Sequence, residues 1–153
     1  RNLQWLDLHS NKLNTLPRSI GRLKKLRYLD LSFSRNMDMR DATRHFFKLR
    51  DLEVLNLSDN QLRKVPYGIG KLKNLKRIDL SYNKKLNLAQ AINMLKRIET
   101  LEILILDENN IHRMPGRIKE LENLKILRLK YNPINQSERE RIKEMLPDVK
   151  VVF

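Results

Sequence analysis

One template recurs along the whole chain and constrains its fold more than any other feature. Leu-x-x-Leu-x-Leu-x-x-Asn-x-Leu is met by Leu3-Leu6-Leu8-Asn11-Leu13 and by Leu52-Leu55-Leu57-Asn60-Leu62. It returns as Leu75-Ile78-Leu80-Asn83 with Leu86 one place late, as Leu101-Leu104-Leu106-Asn109-Ile111, and as Leu124-Leu127-Leu129-Asn132-Ile134. The second copy, Leu26-Leu29-Leu31, carries Ser34 where asparagine is expected, and Leu146-Val149-Val151 forms a partial seventh. Copies start at residues 3, 26, 52, 75, 101 and 124, so lengths of 23 and 26 alternate and the duplicated unit is a pair of 49 residues. Offsetting the chain by 49 aligns Leu16-Pro17, Val65-Pro66 and Met114-Pro115, and likewise Phe33, Tyr82 and Tyr131. A fixed period of this length marks a solenoid, in which each copy buries its apolar face against its neighbours.

The Leu-x-Leu centre alternates with period two and reads as a short strand with one face buried. Stacked copies then give a parallel sheet, and the asparagine suits a turn where a side-chain amide satisfies backbone groups. Proline after the outer Leu, Val or Met of the 23-residue copies removes a donor and fixes φ, which favours extended or 3₁₀ backbone there. The 26-residue copies lack it. There, 38–49 and 87–98 carry apolar residues at helical spacing (Leu88, Ala91, Ile92, Leu95, Ile98 and their counterparts), which predicts short outer helices. Residues 1–134 hold six repeats on this reading, and 135–153 a capping helix and final strand. Ser137 and Glu140 have the spacing of a capping box, Ile142, Met145 and Leu146 share one helical face, and Pro147 stops the helix.

These residues resemble the leucine-rich-repeat family over nearly all of the chain. Leu16-Pro17-Arg18-Ser19-Ile20-Gly21 and Val65-Pro66-Tyr67-Gly68-Ile69-Gly70 are similar to the L-P-x-x-I-G outer motif of bacterial and plant intracellular-type members. Asn132-Pro133-Ile134, Ser137 and the run from Leu146-Pro147 to Phe153 are similar to the closing cap of bacterial members. The resemblance implies an α/β horseshoe with a parallel sheet on the concave face and short helices and turns on the convex one. It also implies a binding scaffold without intrinsic enzyme activity.

In such a fold template positions 2, 3, 5, 7 and 8 are expected to face the concave side. Those positions gather Trp5, Tyr28, Phe33, Arg77, Tyr82, Ile103, Ile105, Ile126, Arg128 and Tyr131, an apolar and aromatic set with arginines, which is the composition of a protein-binding surface. Six strands would span roughly 24 Å, room for a peptide, a helix or one lobe of a globular protein. Position 2 reads Gln4, Arg27, Glu53, Lys76, Glu102 and Lys125, a ladder of alternating sign that neighbouring strands can pair internally.

Net charge is +14, so anionic partners also need weighing. The concave positions hold eight acids and six bases, which leaves 26 of the 32 bases and 10 of the 18 acids elsewhere. The excess falls on outer segments: Arg18, Arg22, Lys24 and Lys25; Lys71 and Lys73; Arg117 and Lys119. The alternative to a concave protein-binding scaffold is therefore a basic structural subunit that attaches to nucleic acid or a large assembly by its outer surface. Against it, aromatics gather on the expected concave face and bases on the outside, whereas a nucleic-acid groove interleaves them.

Catalysis finds little support. Ser32, His9 and Asp7 or Asp30 could meet on adjacent strands, but the serine and aspartate columns recur without any further histidine. With no cysteine, no glycine-rich phosphate loop and no clustered ligands, neither a metal nor a cofactor is expected. No apolar run is long enough to span a membrane. The first copy shows no polar cap, so a longer array, or cover by other chain, is expected over Leu3, Leu6 and Leu8. Each leucine left in water forgoes roughly 1.5–3 kcal/mol of burial.

Overall fold

Seven three-residue strands stand in sequence order in a single parallel sheet in the computed structural model, which describes residues 2–153. They are β1 (Trp5–Asp7), β2 (Tyr28–Asp30), β3 (Val54–Asn56), β4 (Arg77–Asp79), β5 (Ile103–Ile105), β6 (Ile126–Arg128) and β7 (Lys150–Val152). The register sets Leu6, Leu29, Leu55, Ile78, Leu104, Leu127 and Val151 in one inward row. From Leu6 to Leu127 the partners are alternately 23 and 26 residues apart, so the period in the sequence is the register of the sheet. Leu29, Leu55, Ile78 and Leu127 are fully buried, and the template leucines from Leu26 to Leu129 join them in one continuous core. At the first edge Leu3 is 42% exposed, while Leu6 and Leu8 are half-buried.

A second ladder, of asparagines, runs beside the leucines. Asn60, Asn83, Asn109 and Asn132 are all buried. Each donates its side-chain amide to the carbonyl of a template leucine in the copy before it: Leu31, Leu57, Leu80 and Leu106. Each carboxamide oxygen in turn accepts from the previous copy. Asn83 accepts from the backbone N–H of Asn60 and Leu62, and Asn132 from those of Asn109 and Ile111. Asn60 accepts only from Ser34, and Asn109 only from Asn83. The doubled bonds belong to the 23-residue steps. There Gln61 and Asn110 sit in the left-handed region, φ 54° and 57°, which brings the next N–H round to the shared oxygen. Lys12, one period earlier, precedes a copy with Ser34 at the asparagine position and does not adopt that conformation.

The outer layer differs between the two kinds of copy. The Pro-containing segments form 3₁₀ turns at Arg18–Arg22, Ile69–Lys71 and Gly116–Glu120. In one 26-residue copy α2 (Leu88–Leu95) runs two turns from an Asn87 cap, burying Ala91, Ile92 and Leu95. In the other, the expected helix is short: α1 (Met39–Ala42) gives way to a 3₁₀ turn over Thr43–Lys48. Thr-Arg-His-Phe-Phe is a run of weaker helix formers than its counterpart Ile-Asn-Met-Leu-Lys, which accounts for the difference. Thr43 stands where α2 has Ile92, is wholly buried, and its hydroxyl has no hydrogen-bond partner among the described residues. Thr43→Val should therefore raise the thermal midpoint, with a gain of about 1 kcal/mol from removing an unsatisfied hydroxyl. A lower midpoint would show that the hydroxyl is bonded in solution.

At the C-terminal end α3 (Gln136–Met145) lays Ile142 and Leu146 on the last core layer. Its cap is Asn135, whose side chain accepts from the Glu138 N–H at 2.8 Å, not the expected Ser137–Glu140 box. The helix starts earlier because Glu138 is drawn inward. Its carboxylate accepts from the Met114 N–H while Arg141 donates to the Met114 carbonyl. One period earlier the single amide of Gln90 does both jobs for Val65.

Two expectations about the concave face need correction. Position 7 faces solvent only towards the two ends: Ser32, Ser58, Ser81 and Asp107 are buried as the chain turns off the sheet, whereas His9 is exposed and Lys130 half-buried. Ile105 is only 2% exposed. Arg128 is paired opposite it and reaches to Asp107, two residues further along the same chain, so the arginine stem passes beside the isoleucine and covers it.

Candidate functional site

The sheet presents its position 3 residues as one registered row: Trp5, Tyr28, Val54, Arg77, Ile103, Ile126 and Lys150. At its start the rings of Trp5 and Tyr28 stack, centroids 3.5 Å apart and planes within 5°. Trp5 is 62% exposed, while Tyr28 is half-buried. The Tyr28 hydroxyl donates to Asp30, whose other oxygen holds the backbone and hydroxyl of Ser32. Burial first, and then the Asp30 carboxylate, push the Tyr28 phenol up to about 12, so it stays a neutral donor. Arg77 is exposed and forms no ion pair among the described residues. Ile103 and Ile126 are half-buried side by side, so much of their apolar surface is spent on each other.

The position 2 charges are largely neutralised within the sheet. Arg27 and Lys76 both reach Glu53, at 2.7 and 3.5 Å, and Lys125 reaches Glu102 at 2.8 Å. The Arg27 bond, the larger influence, holds the Glu53 carboxyl below its usual range. Arg128 is likewise held by Asp107 at 2.5 Å and is not a free cation. Arg77 is thus the concave arginine left unpaired.

Position 8 forms a rim that the period-two pattern does not foresee. Ser10, Phe33, Asp59, Tyr82, Glu108 and Tyr131 all adopt positive φ, between 51° and 58°. That conformation swings the aromatic side chains out at the ends of their strands, while Asp59 with the same backbone stays buried. Phe33 and Tyr82 are half in solvent, and Tyr131 is 77% exposed. Arg35 neutralises Asp59 beside Tyr82, and these residues line a groove of about 440 Å³ with Arg63, Lys84 and Lys85. The aromatic residues of the rim recur at the 49-residue period, and their common backbone conformation is the missing signal.

On the outer surface the sequence-based grouping is divided. Arg18, Arg22, Lys24 and Lys25 line one groove. Lys71 lies over the rings of Phe47 and Tyr67, at 5.6 and 4.8 Å. Lys73 and Lys119 are exposed, whereas Arg117 is paired with Glu120. Phe47 and Tyr67, 48% and 56% exposed, sit among these bases, so aromatics and cations do interleave outside, contrary to expectation. The signal was available: Phe46 takes the core position of the Phe46-Phe47 pair and is fully buried, which leaves Phe47 outward.

The Ser, His and Asp set does not come together as a relay. His9 bonds to Asp7 at 2.7 Å, and Ser32 donates to Asp30 at 2.6 Å. The Asp7 bond raises the His9 imidazole above its usual value, and both side chains are exposed, so His9 faces solvent and not a nucleophile. Among the described residues no three His, Cys, Asp or Glu side chains gather to hold a metal, and no helix is long and apolar enough to cross a membrane.

A family profile described as leucine-rich repeat region matches residues 1–150. Among solved structures the chain is similar to a leucine-rich-repeat protein of Leptospira interrogans, with a TM-score of 0.71 and 32% identity. That alignment covers 99% of this chain and 37% of the other. The leucine-rich-repeat domain of the type III effector XopL gives a TM-score of 0.67 at 23% identity, over 97% of this chain and 51% of that one. Human trophoblast glycoprotein, a Wnt-activated inhibitory factor, gives 0.69 at 26% identity, over 84% and 52%. The chain thus spans between 37% and 52% of the length of these three structures. No curated protein sequence matches the chain.

Proposed function

Because the chain belongs to the leucine-rich-repeat family, a fold that generally mediates protein–protein interactions, we propose that it is a non-catalytic scaffold that binds another protein or peptide across its concave face. One observation carries the reading: the row from the Trp5–Tyr28 stack to the unpaired Arg77, bordered by the exposed rings of Phe33, Tyr82 and Tyr131. Exposed aromatics and an uncompensated arginine around a rigid sheet have the make-up of binding hot spots, whereas the paired ladder beside them contributes little. The carboxylates of Asp7 and Asp30 hold His9 and Ser32 in separate pairs, which supports a structural role for that cluster.

The test is affinity capture followed by a titration of the captured protein. Arg77→Ala/Tyr82→Ala/Tyr131→Ala removes three exposed side chains without hydrogen-bond partners among the described residues, so its melting temperature should match the parent. The triple variant should bind the concave-face partner at least tenfold more weakly, since each truncated hot-spot side chain typically costs upward of about 1–2 kcal/mol. Undiminished affinity in a folded triple variant would remove the concave face from consideration.

A further inference from the structure

The outer side carries a second surface of different chemistry. A groove of about 890 Å³ runs between the first two copies, lined by Arg18, Arg22, Lys24, Lys25, Lys48 and Arg50 with Phe47. No carboxylate lines it, and none of the six cations forms an ion pair among the described residues. Beyond the groove the cations and rings continue as a file across the repeats. Lys48 and Lys71 lie over Phe47 at 5.7 and 5.6 Å, and Lys71 and Arg97 lie over Tyr67 at 4.8 and 5.3 Å. The file ends where the charge does: the outer groove next to Arg97 is lined by Glu99, Glu120 and Glu122, and Lys96 is paired to Glu120 there.

Six like charges held around one concavity repel each other, so the arrangement stands ready for an anion that runs through it. Two features narrow the class. The cations line a groove rather than a flat face, which suits a chain-like polyanion better than a bilayer. Phe47 and Tyr67 are about half exposed among cations on long side chains that can swing aside, so the rings suit a ligand that brings flat bases along with its phosphates. A duplex hides its base faces, and an acidic peptide has none. We propose that this groove and the Phe47–Lys71–Tyr67 file bind single-stranded nucleic acid, phosphates on the groove cations and bases on the two rings.

The test is fluorescence anisotropy of the whole chain with a labelled mixed-sequence 12-nucleotide strand, as RNA and as DNA. With about four phosphates engaged, affinity should fall roughly 50-fold between 50 and 200 mM salt, at a log–log slope of about −0.7 per phosphate. Phe47→Ala/Tyr67→Ala should weaken binding about tenfold or more without changing that slope, as loss of stacking does. Lys24→Gln/Lys25→Gln should make the slope shallower by about 1.4. Arg77→Ala/Tyr82→Ala/Tyr131→Ala should bind the strand like the parent, which separates this surface from the concave one. The proposal is overturned if neither strand binds at 50 mM salt, or if the aromatic double variant binds unchanged. Equal affinity for a matched duplex, for polyglutamate or for phosphatidylserine vesicles would overturn it too, because a general anion-attracting surface would then be the whole effect.

Discussion

Asn83→Ala is expected to lose about 4 kcal/mol of folding stability, read as the shift of a urea midpoint at constant slope. The side chain is wholly buried, and it is the sole hydrogen-bond acceptor for the N–H groups of Asn60 and Leu62. It also donates to the carbonyls of Leu57, Leu80 and Ser81. Alanine leaves both N–H groups and the Leu57 carbonyl without partners, and each buried orphan costs about 1–3 kcal/mol. The Leu80 carbonyl keeps a bond from Asn109, so it adds little to the loss. Asn11→Ala supplies the control. Asn11 is exposed and only donates, to the carbonyls of Leu8 and His9, so its loss should stay under about 1 kcal/mol. Similar losses for the two variants would mean that the ladder between copies, not seen from Asn11, contributes nothing beyond the local turn.

That ladder shows where the sequence speaks and where it falls silent. The leucine spacing determined the strands, their parallel order and the 23/26 register, because a buried side chain leaves an apolar letter at a fixed interval. The asparagine was legible as a turn residue, but its two-sided bonding was not. Whether its oxygen accepts once or twice depends on the conformation of Gln61 or Asn110 in the neighbouring copy, and backbone conformation leaves no letter. The rim residues were legible as exposed, but the backbone conformation that presents them was not, for the same reason. Phenylalanine and tyrosine rarely adopt positive φ, yet Phe33, Tyr82 and Tyr131 do so because the turn off each strand imposes it on whatever residue occupies position 8. Composition also misplaced partners that pair across copies. Ile105 reads as exposed until Arg128 is seen reaching past it to Asp107, and that bond likewise takes Arg128 out of the set of free cations. The candidate surface was therefore legible in Trp5, Arg77, Tyr82 and Tyr131, whose neighbours do not intervene, and illegible wherever a long side chain from the next copy decides exposure.

The glycines test the same point with a larger effect than their motif suggests. The sequence draws attention to Gly21 and Gly70, which close the two Leu/Val-Pro-x-x-Ile-Gly segments. A Cβ at either would meet flexible side chains first, Lys48 Cδ at 2.9 Å and Met94 Sδ at 2.8 Å, which can swing aside at a cost of about 1 kcal/mol. Gly68 lies inside a motif at a position with no expected identity. A Cβ there would stand 2.1 Å from the Thr43 carbonyl oxygen and 2.8 Å from its carbon, atoms of a backbone that cannot rotate away. Gly68→Ala should force apart the 3₁₀ turns at Thr43–Lys48 and Ile69–Lys71 and lose about 3 kcal/mol, the upper end of overpacking costs. Gly116, one residue short of the same place one period later, has nothing within 4 Å and no positive φ. Gly116→Ala should gain about 0.4–1 kcal/mol, because alanine narrows the unfolded ensemble without strain. The expected order of melting temperatures is Gly116→Ala above the parent, Gly21→Ala and Gly70→Ala slightly below it, and Gly68→Ala well below. If Gly70→Ala proves as costly as Gly68→Ala or worse, the close approach of the Thr43 backbone to Gly68 is not what sets the cost.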